Sequence, residues 1–161
     1  MLLPIPSTDH IARLCKGSTC ANGRPTADSF AYREHEPSLS AYWLEFFAGP
    51  ATLSEKLDRL RQFRRDVEIS INGALKVTGA WRLAVLSIDA LRCAEVDFDG
   101  TRVTFECVHD PRAENDSHAL IETTPARNDW PQDPDENAAF RMAIQRWLAE
   151  QVVHVEGALS L

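Results

Sequence analysis

No apolar run in this chain is long enough to cross a bilayer. The longest uninterrupted ones, such as LAVL at 83–86, are a few residues, against the roughly 20 that a spanning helix needs. The first ten residues, MLLPIPSTDH, lack a basic n-region and a sustained apolar h-region, so no signal peptide is expected and a soluble, cytoplasmic location is the default. Cysteine is scarce. Cys15, Cys20, Cys93 and Cys107 form no CxxC pair, and in a cytoplasmic chain they are expected as thiols. The P-loop, GxGxxG, HExxH and GxSxG patterns are all missing, which removes the commonest nucleotide-binding, zinc-protease and α/β-hydrolase readings. Internal repeats and low-complexity segments are missing too.

What remains is an ordinary globular composition. The 161 residues are 44% hydrophobic and 25% charged, which predicts one domain spanning 1–161 with a core of its own. The net charge of −7 is uneven. Residues 1–82 hold eleven Lys/Arg and nine Asp/Glu, and residues 83–161 hold six and fifteen. The acidic second half argues against a protein that coats nucleic acid.

Two patterns dominate the chain. Asp99-Gly100 between CAEVDF and TRVTFECV is the signature of a two-residue type I′ hairpin. It pairs Phe98 with Thr101, Val96 with Val103 and Asp97 with Arg102. In NAAFRMAIQRWLAEQVV (137–153), Phe140, Ile144, Trp147, Leu148 and Val152 form an apolar helical stripe. RLAVLSI (82–88) reads as a central strand, and HIARLC (10–15) and SHALIETT (117–124) as further strands. VEISI (67–71) alternates like a strand and is followed by Asn72-Gly73. Leu39, Tyr42, Trp43 and Phe46 recur at helical spacing after a capping Ser38, which predicts a helix over 39–47. Thr52 and Glu55 form a capping box for another helix over 52–64. The expected fold is α+β, with an antiparallel sheet of about four to six strands and three helices packed on one face.

The candidate site residues cluster around the Gly/Ser/Pro-rich loop 16–28, a kind of segment that is often functional. His10 and Arg13 precede it. His118 follows a polar loop. Arg suits phosphate or carboxylate because its planar fork donates parallel hydrogen bonds, and His titrates near neutral pH. Together the three make a candidate catalytic set, with Arg24, Arg33 and Ser40 as accompanying ligand-binding residues. On a strand, however, positions i and i+3 face opposite ways, so His10 and Arg13 meet only if the segment bends. Trp81 and Trp130 sit beside turn chemistry and are candidate interface anchors.

Arg13, Ser38-Leu39-Ser40 and Glu45 resemble the Arg, Ser-x-Ser strand and Glu with which ADP-ribosyl-transferring enzymes bind NAD. That set needs Ser38–Ser40 on a strand, whereas the aromatic spacing here predicts a helix. For metal, Cys15-x₄-Cys20 with His10 is stretched for structural zinc, and no metal site is assigned. The cofactor is unknown. The basic run Lys56 to Arg65 is interleaved with acids and reads as a solvated helix face, with Arg59, Arg61 and Arg65 away from the apolar stripe.

Two functions fit. The first is a non-catalytic interaction or accessory domain of a bacterial-type multi-protein system, with a protein partner or a second copy of itself. It predicts an exposed apolar patch of several hundred Å². The second is a small enzyme or sensor, transferase-like in residue type, acting on a phosphate-bearing or nucleotide ligand. It requires His10, Arg13 and His118 to line one pocket. No signature decides for or against catalysis.

Overall fold

An eight-stranded sheet, antiparallel at every pairing, forms the middle of the structure, a computed structural model that describes residues 2–72 and 76–159. In chain order the elements are β1 (Leu3–Pro4), β2 (His10–Cys15), a small ribbon of β3 (Cys20–Ala21) and β4 (Arg24–Pro25), then β5 (Leu39–Trp43), α1 (Leu53–Asn72), β6 (Arg82–Ser87), α2 (Ile88–Cys93), β7 (Glu95–Phe98), β8 (Thr101–His109), β9 (His118–Thr124), α3 (Pro134–Glu150) and β10 (His154–Gly157). Across the sheet the order is β1-β8-β9-β5-β2-β6-β10, with β7 on the same side of β8 as β1.

The hairpin forms as its turn chemistry dictates. Asp99 and Gly100 both adopt positive φ, 53° and 82°, as a type I′ turn demands, and Val96 faces Val103. One detail differs. The Asp97 carboxylate accepts the Gly100 N–H at 2.8 Å, and Arg102 forms its ion pair with Glu95. β6 and β9 also fall where expected. α3 begins three residues earlier than its stripe suggests, at Pro134, because the Asp133 carboxylate accepts the N–H groups of Asp135 and Glu136.

The sheet is larger than expected, and its helices do not share a face. Alternate residues of β6 divide between two cores: Ala84 and Leu86 belong to one, Leu83 and Val85 to the other. α3 covers the first through Phe140, Ile144 and Leu148, each worth roughly 1.5–3 kcal/mol on burial. α1 covers the second through Leu57 and Leu60. Two segments change type. Residues 39–43 form strand β5, followed by a 3-10 turn at Leu44–Phe46. Leu39 and Ala41 enter the α3-side core while Tyr42 packs on the α1 side, so a period of two wins over the aromatic spacing. The expected strand 67–71 is instead the last part of α1. Gln62–Asp66 and Arg64–Glu68 pairs cross the expected boundary at helical i,i+4 spacing, and side-chain pairing of this kind overrides strand propensity. Of the expected Asn72-Gly73 turn, Gly73 lies outside the described residues. Arg61, expected on the solvated side, is 9% exposed. It donates to Gly157 O at 2.9 Å and pairs with Glu156 and Asp58, tying α1 to β10.

Candidate functional site

The middle of the sheet is incomplete. β2 and β5 pair only at Ile11↔Trp43 and Ala12↔Tyr42. Beyond that point β2 follows β6 through to Cys15↔Arg82, and β5 follows β9 through to Leu39↔Ile121. The strands part, and a cleft of about 480 Å³ opens between them.

Arg13 lies at the floor of this gap. Its Nε donates to Ser29 O at 2.6 Å, and its Nη1 donates to Ser40 O at 2.5 Å. One guanidinium therefore bridges β2 to β5 where their ladder has stopped, with the Phe30 ring 5.8 Å from its carbon. Burial draws its pKa down from the ordinary value, although an Arg stays charged in a protein. Among the described residues Arg13 makes no ion pair. A desolvated cation outside any ion pair is costly, and Glu36 offsets that only from a distance.

His118 lines the same cleft from β9, directly across from Tyr42. Its Nδ1 lies 2.9 Å from Asp110 O and 3.1 Å from the Asp110 carboxylate. A carbonyl can only accept, so Nδ1 carries the proton. Burial lowers the imidazole below its ordinary value, with Asp110 opposing, so His118 is neutral near pH 7. Ser40, Arg33 and Trp81 also line the cleft. Arg33 is exposed and pairs with Glu36 at 3.3 Å. Trp81 is half-buried against the α1-side core.

Other expected residues lie elsewhere. His10 faces away from Arg13, as the i, i+3 parity of a strand requires. Glu45 holds it: the carboxylate accepts the His10 main-chain N–H at 2.8 Å, meets Nδ1 at 2.9 Å and pairs with Lys56 at 3.0 Å. Burial pushes Glu45 up, but these partners outweigh it and hold the carboxyl below its ordinary value. The three-residue set of His10, Arg13 and His118 is thus not assembled: two line the cleft and one does not. Arg24 sits in the exposed β3–β4 ribbon, outside the cleft. Trp130 is 1% exposed. Its indole N–H donates to Pro125 O at 3.1 Å, and its ring meets Tyr32 and Phe140 edge-on, so it is a core residue and not an exposed anchor. Ser40 does lie on a strand, but Glu45 is absent from the cleft, so the Arg/Ser-x-Ser/Glu set is also incomplete.

The sequence reading missed Lys16 and Arg64, which line the cleft too. Lys16 is exposed at the mouth. Arg64 lies 5.1 Å over the Tyr42 ring and pairs with Glu68. Arg64 falls three and four residues after Arg61 and Leu60, on the apolar side of the α1 sequence where a charge is unexpected, and that is the one sequence signal for it. Cys15 is no nucleophile here: burial pushes its thiol up to about 11. Among the described residues no group of three or more His, Cys, Asp or Glu is placed to hold a metal ion, and no helix is long and apolar enough to cross a membrane. In comparisons with known proteins, no family model, no curated protein and no solved structure matches the chain.

Proposed function

We propose that the protein is a non-catalytic binding domain for a phosphate-bearing small molecule, held in the cleft between β2 and β5. The observation that carries this reading is Arg13, a half-buried guanidinium fixed by two main-chain carbonyls and in no ion pair, with Glu36 the acid whose charge reaches it and Asp28 the one acid among the described residues lining the cleft. An anion entering the cleft supplies the missing charge, and the remaining guanidinium N–H groups are free to donate to it. Lys16 and Arg33 at the mouth add positive charge, opposed by Glu36, which pairs with Arg33, and by Asp28. A nucleophilic role for Cys15 is disfavoured, since burial keeps its thiol protonated, and a binding role is the simpler reading of the cleft.

The interaction-domain reading has less support. Among the described residues the exposed large hydrophobics are Leu2, Leu3 and Val153. Leu3 lies at the β1 end of the strand order, and Val153 lies beside β10 at the other end. They do not combine into one patch. The test is a thermal-shift titration with inorganic phosphate at constant ionic strength. A ligand that binds only the folded form raises the melting temperature. We expect phosphate to raise it, and Lys16→Ala/Arg33→Ala, which alters exposed side chains only, to weaken the effect. No shift with phosphate, sulfate or pyrophosphate overturns the reading.

A further inference from the structure

The parted strands leave a passage through the sheet, and its two ends differ in chemistry. Along β2, Cys15 belongs to the α3-side core and Leu14 packs on the α1 side, so Arg13 points to the α3 side. The cleft is also lined by Lys16, Arg33 and the carboxylate-bearing Asp28 of the 27–30 turn packed on α3, together with the Ser29 hydroxyl, which bonds to Thr19. At the other end, Tyr42 and Trp81 pack on the α1 side and Arg64 reaches in from α1. His118 is directly opposite Tyr42 across β5–β9 and shares its face. The first end presents the Arg13 guanidinium, which is in no ion pair among the described residues, and the second presents flat rings beside an Arg64 already paired with Glu68.

The main chain between these ends is also unusual. Trp43 N–H donates to Ser117 O toward β9 at 2.8 Å, so the alternation of an antiparallel ladder aims the polar groups of Tyr42 and Ser40 toward β2. Ala12 pairs with Tyr42, and the same alternation aims those of Leu14 toward β5. The carbonyl of Ser40 receives Arg13. No strand pairing occupies the Ser40 N–H or the Leu14 N–H and C=O. These unpaired donors and acceptors lie midway along the passage, between Arg13 and the rings.

We infer that the phosphate-bearing ligand is a nucleotide, with its phosphate at Arg13 and its base on the Trp81–Tyr42 side. This rests on the phosphate-binding reading above and narrows it to one ligand class. A base has a π-face to set against an aromatic ring and an edge of donors and acceptors to match a free main chain. Inorganic phosphate satisfies only Arg13. The cleft volume, about 480 Å³, lies within the roughly 300–1,000 Å³ usual for such sites.

The test compares inorganic phosphate, ribose 5-phosphate and the four nucleoside monophosphates AMP, GMP, CMP and UMP by calorimetric titration of the whole chain. At least one monophosphate is expected to bind about tenfold or more tighter than ribose 5-phosphate, the size of one stacking contact. Trp81→Leu should erase that margin and leave phosphate affinity in place, and Trp81→Phe should restore most of it. If phosphate binds but no monophosphate exceeds ribose 5-phosphate, the nucleotide inference is wrong and the phosphate reading stands. If the margin survives Trp81→Leu, the base is not where we place it and the inference is also wrong. If no compound binds, both readings fall.

Discussion

Replacing Arg13 by Met separates a binding residue from a structural staple. Met keeps the length and apolar stem of Arg and removes the charge and both hydrogen bonds, to Ser29 O and Ser40 O. Charged hydrogen bonds contribute roughly 1.5–3 kcal/mol each, so their loss alone costs about 3–6 kcal/mol. Against this, removing a desolvated cation outside any ion pair returns a penalty of several kcal/mol. The two nearly cancel. We expect the ligand-free variant to stay within about 2 kcal/mol of the parent, which is less than roughly 8 °C in melting temperature for a chain of this size. Phosphate should discriminate where stability does not. At a hundred times its dissociation constant a ligand stabilises by about 2.7 kcal/mol, and the Met variant should show none of this. The assay is urea unfolding of both proteins with and without phosphate. A variant that loses more than about 4 kcal/mol, beside a parent that ignores phosphate, would refute the reasoning and leave Arg13 a staple.

Three other outcomes follow from the same geometry. His10→Ala should leave phosphate binding unchanged, because His10 faces Glu45 and Lys56 on the side away from Arg13; titration calorimetry checks this. Gly17→Ala should lower stability by about 1–3 kcal/mol and weaken phosphate binding, since a Cβ there would lie 2.6 Å from that of Ala80 and push the 16–19 loop off the cleft mouth; urea melts and the same titration report both effects. His118 has a folded pKa below its unfolded value, so the unfolded chain binds the extra proton first. Stability should therefore fall as pH drops from about 6.5 toward the lowered value, and His118→Asn should flatten that slope in urea melts at pH values either side of it.

The parts of the fold that were legible in the sequence are those that local chemistry specifies. Asp99-Gly100 needs only its own backbone to turn, and the stripe of α3 needs only its own spacing. The segment 39–47 was misjudged because two periods coexist in it: Leu39, Tyr42, Trp43 and Phe46 fit a helix, while Leu39 and Ala41 fit one face of a strand. The deciding fact is the partner strand β9, some eighty residues later, which no local pattern reveals. VEISI was misjudged for a related reason, since its helical state is supported from upstream by Arg64 and Gln62.

The site was legible as residues and not as an arrangement. Arg13, Arg33, Ser40 and His118 each carried suitable chemistry, but they meet only because β5 lies between β2 and β9. The parity of a strand already warned that His10 would face away. Trp130 was misread because the turn residues around it suggested a surface, when the loop from Pro125 to Pro131 instead wraps its ring into the core.

The most direct test of the parted-strand site is a phosphate titration followed by amide and guanidinium NMR signals. If the anion sits between β2 and β5, the Leu14 and Ser40 amides and the Arg13 Nε–H shift together and saturate, while the His10 amide stays still. Shifts confined to Arg61 and Arg82, or none at millimolar phosphate, would contradict it.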